Sequence, residues 1–339
     1  MSNELDKVVS LITKKYGVGA ISIASKFKGI EAKRIPTGSF SVDIETGGGF
    51  PRGRIVEVYG ELSSGKSALA LKAVAEVQKI GLKAVWVDAE GAFSEAWARQ
   101  LGVKTDELMV VRAETAERML DIADAVVRSK QCGCLIIDSV ACLMPYQEEE
   151  VPMEDPETLG DRARMMNRYM RKLHSALNLR DEEVPNECLV LLLNQTRDAI
   201  GKYGDPTTTT GGKGIGFGAS IRLHLRRRDW IKTGTGDKEK VVGQIIKFRT
   251  TKNKTYPPYR DGEFEFYFDD CNPFKAGEID RIKEVINYGI FYDIIKQGGS
   301  YFTWGTEKFQ GKEKLFEFFK KEPKEALKIK NEIITIAIR

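Results

Sequence analysis

Residues 60–67 read Gly60-Glu61-Leu62-Ser63-Ser64-Gly65-Lys66-Ser67 and meet the phosphate-loop spacing G-x-x-x-x-G-K-[ST] at every fixed position. Such a loop constrains a fold strongly, because it works only between a buried strand and a helix. Both flanks suit it. Residues 54–59 alternate as a strand does, and residues 68–77 have the composition of a helix. Gly60 and Gly65 permit a tight turn that aims successive N–H groups inward at phosphate oxygens, and the helix start adds its positive dipole end. Lys66 is then placed to reach the β- and γ-phosphates of a nucleotide, and the Ser67 hydroxyl to hold Mg²⁺. A chance glycine-rich turn is the alternative; the intact flanks weigh against it.

Length and composition narrow the setting. A chain of 339 residues suggests about two domains. No apolar run approaches the ~20 residues of a membrane span; the 189–193 run has strand length. Glu4, Asp6, Lys7, Lys14 and Lys15 leave the N-terminus without the apolar centre of a secretory signal. Five cysteines form no even framework, and Cys132-Gly133-Cys134 is spaced too tightly for the usual zinc pair. They read as free thiols of a reducing cytoplasm, with no membrane partner expected. A net charge of +4 permits a polyanionic partner without demanding one, so the distribution of charge matters more.

Three regions separate. Residues 1–30 hold an amphipathic stretch, with Leu5, Val8, Val9, Ile12 and Tyr16 near helical spacing. Residues 31–268 alternate strand-like and helix-like runs, the signature of a mostly parallel α/β sheet. Strands are expected at 54–59, 84–88, 108–112, 135–138, 188–194 and 219–226. Residues 269–339 read as a small α+β domain, with helices at 279–288, 312–320 and 325–334 and an aromatic strand at 301–304. Two segments, about 145–160 and 197–216, fit neither helix nor strand. Loops that long inside a compact domain are usually functional or disordered.

More of a nucleotide site follows from strand ends. The apolar run ending in Asp138 offers a carboxylate for Mg²⁺. The strand ending Asp88-Ala89-Glu90 puts Glu90 on the loop side of the sheet, where it can accept a proton from water attacking a γ-phosphate; a solvated loop carboxylate is the alternative. Asn194-Gln195 ends another apolar strand in neutral amides. Gln195 could hydrogen-bond a γ-phosphate and release the following loop after hydrolysis.

At this point the residues resemble the bacterial RecA recombinase family along almost the whole chain. The resemblance rests on Thr37-Gly38-Ser39, the 53–67 stretch, Asp88-Ala89-Glu90, Asp138-Ser139-Val140-Ala141, Ala163–Met166, Met170–Leu173, Asn194-Gln195, Thr208–Gly212 and Lys252-Asn253-Lys254. It implies a RecA-like ATPase core, ATP and Mg²⁺ as cofactors, and a homo-oligomeric helical filament on single-stranded DNA that pairs with homologous duplex and exchanges strands in repair. It further implies that Glu90 activates water, that Gln195 senses the γ-phosphate, and that Trp97 stacks on adenine. Lys252 and Lys254 would reach ATP bound by the neighbouring protomer. The two unassigned segments correspond to the family's DNA-binding loops, and residues 1–30 to an arm that packs on the next protomer. Three departures stand out. Gly91 follows the catalytic Glu, the first loop is acidic (Glu148, Glu149, Glu150, Glu154, Asp155, Glu157), and the last residues are Ile336-Ala337-Ile338-Arg339 rather than an acidic tail.

Arg164, Asn167 and Arg171 lie on a helix leading from the first loop, the two arginines two turns apart, and are expected on the primary strand's phosphates. Arg197, Ile200, Tyr203, Gly211 and Gly212 belong to the second loop's DNA-contacting set. Arg226, Arg227, Lys247 and Arg249 gather charge around an alternating strand, as a surface for a second DNA would; a solvated face is the alternative for each cluster. His174 and His224 have no ligand partners in sequence and are assigned no metal. Two other functional readings remain: a ring-forming helicase ATPase, which the arm and the Lys252/Lys254 pair oppose, and an ATP-gated DNA-coating scaffold, which Glu90 opposes.

Overall fold

The structure is a computed structural model and describes residues 4–17, 20–21, 33–149, 160–178, 185–198 and 207–338. In chain order the elements are α1 (Glu4–Tyr16), β1 (Arg34–Ile35), α2 (Phe40–Thr46), β2 (Phe50–Pro51), β3 (Ile55–Gly60), α3 (Lys66–Lys79), β4 (Lys83–Asp88), α4 (Glu95–Gln100), β5 (Leu108–Val111), α5 (Ala116–Arg128), β6 (Cys132–Asp138), α6 (Tyr146–Glu149), α7 (Asp161–Leu177), β7 (Leu189–Asp198), β8 (Thr207–Thr209), α8 (Lys213–Gly218), β9 (Ile221–Thr233), β10 (Lys240–Asn253), β11 (Asp261–Tyr267), α9 (Arg281–Phe291), β12 (Lys296–Gly298), β13 (Tyr301–Trp304), β14 (Glu307–Gln310), α10 (Lys312–Lys321) and α11 (Pro323–Ala337).

The central sheet has nine strands, ordered β11-β10-β9-β3-β7-β6-β4-β5, with β8 added beside β7. From β9 to β5 neighbouring strands run parallel; β10 and β11 return antiparallel at one edge. Alternation along each strand divides the core in two. Val56, Val58, Ile136, Leu191, Leu223 and Ile246 face the side covered by α3. Ile55, Leu135, Ile137, Val190 and Leu192 face the side covered by α5 and α7. Both faces are apolar, so β3, β6 and β7 read as near-continuous hydrophobic runs, as a doubly covered parallel sheet requires. A third cluster joins α2 to α9, α10 and α11 beside a small antiparallel sheet of β12, β13 and β14.

The expected strands are present, and three expectations change. Residues 197–216 hold structure at both ends: β8 pairs antiparallel with the extended end of β7, and α8 follows Gly211-Gly212. The glycine-rich α8 has weak intrinsic helix propensity and is held by packing on α7, which local sequence does not reveal. The strand expected at 219–226 continues to Thr233 because β10 and β11 extend the ladder beyond the core. The 145–160 segment opens with the short α6, and residues 150–159 lie outside the described residues.

Candidate nucleotide site and nucleic-acid surface

Parallel strands β3, β4, β6 and β7 end at one edge of the sheet, delivering Gly60, Asp88, Asp138 and Gln195 side by side. The phosphate loop is a tight cradle. A methyl group at Gly60 would lie 2.0 Å from the Leu225 carbonyl oxygen, and Gly65 takes a left-handed φ of 91° while its missing side chain leaves room for Ile246. Gly65 caps α3 without a side chain, leaving the first N–H groups of that helix available to an anion. The Lys66 ammonium folds back on the loop and donates to the carbonyls of Gly60 (3.1 Å) and Glu61 (2.7 Å). Burial pulls its pKa down, against the pull of Asp138, Glu90 and Glu61. Ser64 Oγ is buried with no hydrogen-bond partner. Leu62 and Glu61 stay exposed and Ser63 has a positive φ of 57°. Unpaired donors around a buried cation form a set suited to phosphate.

Ser67 lies beside Asp138 and favours its charged form, yet burial raises the Asp138 pKa to about 6. A hydroxyl beside a buried carboxylate suits a hard divalent cation. Glu90 is exposed and gathered in from two sides: Ser139 Oγ donates to its Oε1 at 2.6 Å and Gln195 Nε2 donates to the same oxygen at 3.3 Å. The loop carrying Glu90 is held by Asp88, which accepts from the N–H groups of Ala92 and Phe93 and from Arg112 at 2.7 Å. Trp97 on α4 is half-buried, edge-on to Phe266, with part of its indole left to solvent. Ser139 and Arg112 were not anticipated from sequence. Ser139 stands next to Asp138 in a recognised block; Arg112 lies just past the neighbouring edge strand β5 and has no local signal.

The chain matches the RecA N-terminal domain over residues 3–272 and the RecA C-terminal domain over residues 283–337. It is 38% identical to the RecA protein of Geobacter metallireducens, covering 99% of this chain and 96% of that one. It is also 38% identical to the RecA protein of Leptospira meyeri, with 97% and 81% covered, and 36% identical to that of Clostridium botulinum, with 97% and 88% covered. The chain belongs to the RecA family. Its function is that of a recombinase in DNA repair and strand exchange, and it is a DNA-dependent ATPase.

In this RecA-family chain α7, which follows the first segment named for DNA, packs on α8 at the end of the second. Arg164 and Arg171 are exposed along one face of α7, with Arg168 between them; Arg164 is ion-paired to Asp161. Asn167 is turned the other way, onto α8: a methyl at Gly214 would lie 1.6 Å from its Oδ1. Gly211 and Gly212 have left-handed φ values of 87° and 78° and press against Ile215 and Ala163. Arg197 pairs through its backbone with Thr208, and Ile200 and Tyr203 lie outside the described residues.

The register of β9 and β10 resolves the basic cluster. Arg226 stands opposite Lys247 and His224 opposite Arg249, all on the sheet face shared with Glu57 and Tyr59, the face that α7 and α8 cover further along. Arg227 stands opposite the buried Ile246 and so points to the other face, with its guanidinium 4.1 Å from the Trp230 ring centre. Of the basic cluster expected from sequence, Arg226, Lys247 and Arg249 therefore share one face and Arg227 does not, because adjacent strand residues face opposite ways. Arg249 is doubly bonded to Asp261, at 3.0 and 2.8 Å. Lys252 Nζ donates to the Gly216 and Phe217 carbonyls, both at 2.8 Å, capping α8. It stands opposite Arg222, level with Glu57 and three residues short of Gly60. No described helix is long and apolar enough to cross a membrane.

Proposed function

We propose that this chain hydrolyses ATP at the Gly60–Ser67 loop and uses the bound and hydrolysed states to assemble on, and loosen from, single-stranded DNA, exchanging that strand with a homologous duplex in the cytoplasm. The observation that carries the reading is Glu90 held by Ser139 and Gln195 at the strand edge shared with the phosphate loop. Lys66, the loop N–H groups and the orphaned Ser64 hydroxyl bind the phosphates. Ser67 and Asp138 hold Mg²⁺, which supplies charge neutralisation at the phosphate oxygens when bound. Glu90 takes the proton of the attacking water, and Gln195, tied to Glu90, reports the γ-phosphate to the second loop. Trp97 offers a stacking face for adenine.

Residues 1–30 serve as an assembly arm, residues 31–268 as the ATPase core and residues 269–339 as a small C-terminal domain. Leu5, Val8, Leu11 and Tyr16 of α1 are exposed, and α1 has no buried residue, which supports a partner copy as the cover for its apolar side. Lys252 and Lys254 lie toward the opposite strand end from the chain's own phosphate loop, which supports their acting on a neighbour's nucleotide. Arg164 and Arg171 bind the primary strand; Arg226, Lys247 and Arg249 receive the second DNA. The test is strand exchange between circular single-stranded and homologous linear duplex DNA. Joint molecules that form with ATP and fail to form without it support the reading; ATP-independent pairing, or none, overturns it.

A further inference from the structure

Beneath the second loop lies a polar cluster that the ATP site does not use. Glu57 on β3 is fully buried, yet carries a carboxylate. Each of its oxygens is taken: Oε1 accepts from Asn194 Nδ2 at 2.9 Å and Oε2 from Arg222 Nε at 2.5 Å. Asn194 Nδ2 also donates to the Thr210 carbonyl at 2.8 Å, and its Oδ1 accepts from the Gln195 N–H at 2.9 Å. Arg222 Nη2 donates to Thr209 Oγ1 at 3.2 Å, and the guanidinium lies 4.6 Å from the centre of the Tyr59 ring. The cluster therefore touches the outgoing stem of the second loop at Asn194-Gln195 and its returning stem at Thr209-Thr210. It is built on the strand whose next turn is the phosphate loop.

We infer that the Glu57–Arg222 pair, buried at its carboxylate and half-buried at its guanidinium, is a positioning device that pins both stems of the second loop to the strand entering the phosphate loop, and so sets how strongly nucleotide governs single-stranded DNA binding. A buried ion pair adds little stability over an apolar pair of the same volume, so stability alone is a weak reason for one here. Register is the better reason. Arg222 presents a rigid fork whose separate nitrogens hold Glu57 and Thr209 at once, and Asn194 fixes Thr210 and Gln195 with one amide. The device rests on the reading of residues 197–216 as a DNA loop and Gln195 as the nucleotide sensor.

Arg222→Lys keeps the charge but loses the planar fork that reaches Thr209. Thr209→Val removes only the hydroxyl, at a partly exposed position. The readout is the affinity for a labelled oligothymidylate with a slowly hydrolysed ATP analogue divided by that with ADP, alongside analogue binding and thermal stability. Arg222→Lys is expected to lower this ratio about fivefold, Thr209→Val less, and the double variant no further than Arg222→Lys alone. Analogue binding should stay within about twofold of the parent. Equal loss of DNA affinity in both nucleotide states, with the ratio unchanged, means that the pair is merely structural and overturns the inference. Gln195→Ala separates the two readings. If Gln195→Ala keeps the parental ratio, the sensor reading falls and this inference with it. If Gln195→Ala lowers the ratio while Arg222→Lys and Thr209→Val keep it, the sensor reading stands and the positioning role alone is overturned.

Discussion

Glu90 shows how one exposed carboxylate acquires a direction. A side chain at a loop surface ordinarily samples several rotamers, but here one carboxylate oxygen accepts from both Ser139 and Gln195, and Asp88 with Arg112 steadies the backbone below. Glu90→Gln preserves shape and loses the basic oxygen. It should retain ATP and DNA binding while turnover falls by about 10²–10⁴-fold, the usual worth of a general base; phosphate release in the presence of single-stranded DNA measures this. Ser139→Ala leaves the base but removes its closest orienting donor. Its expected effect is a fall of about tenfold in kcat with KM for ATP unchanged, since supporting hydrogen bonds of this kind are worth about that much. A parental kcat in Ser139→Ala would mean that Gln195 alone orients Glu90.

Two contacts between elements have consequences that single residues do not. Helix α8 lies against α7 through glycine: Gly214 meets Asn167, and a methyl at Gly218 would lie 2.4 Å from Met170 Cε. Gly214→Ala should therefore cost about 1–3 kcal/mol by overpacking, seen as a lower Tm. Asn167→Ala in the same chain should restore much of it, because the clashing atoms belong to the amide. The second contact joins α2 to the C-terminal domain. Glu284 of α9 accepts from Ser39 Oγ (2.5 Å), Ser41 N (2.9 Å) and Phe40 N (3.0 Å) at the start of α2. Nearby Asp43 is half-buried and accepts from Thr37 N and Oγ1; desolvation raises its pKa to about 7. A carboxyl that titrates higher when folded contributes stability below its unfolded pKa, near 4, and loses it as pH rises through about 7. Asp43→Asn keeps an acceptor oxygen and cannot ionise. Its Tm relative to the parent should rise steadily between about pH 4 and pH 7 and level off above; a difference flat with pH would show that Asp43 has the same pKa folded and unfolded.

At the scale of the whole molecule, the chain carries surfaces that its own fold does not finish. Leu5, Val8, Leu11 and Tyr16 of α1 are exposed, and the Lys252/Lys254 pair is set back from the chain's own phosphate loop. If both are completed by a neighbouring copy, protein lacking residues 1–30 should keep nucleotide binding and lose length-dependent assembly on single-stranded DNA, as sedimentation would show. Mixing Lys252→Ala/Lys254→Ala protein with Glu90→Gln protein should restore part of the ATPase, because a mixed interface joins an intact lysine pair to an intact Glu90. No recovery, with co-assembly verified, would count against a shared site.

Short-range chemistry determined what the sequence alone disclosed. Spacing of Gly60, Gly65, Lys66 and Ser67, apolar runs ending in Asp138 and Asn194-Gln195, and Glu90 just past a strand are local patterns that need only a strand end to acquire meaning. They made the parallel core and the ATP-site residues legible. Tertiary structure decided what depends on which strands become neighbours. Glu57 looks like the polar position of an alternating strand; only the placement of β9 and β7 on either side of β3 buries it between Arg222 and Asn194. The β9–β10 register, a contact between distant segments, separated Arg227 from Arg226, Lys247 and Arg249. Likewise α8 exists because α7 supplies a surface that its glycines can approach. Its own residues, lacking side chains to restrict the backbone, carry no comparable preference for a helix.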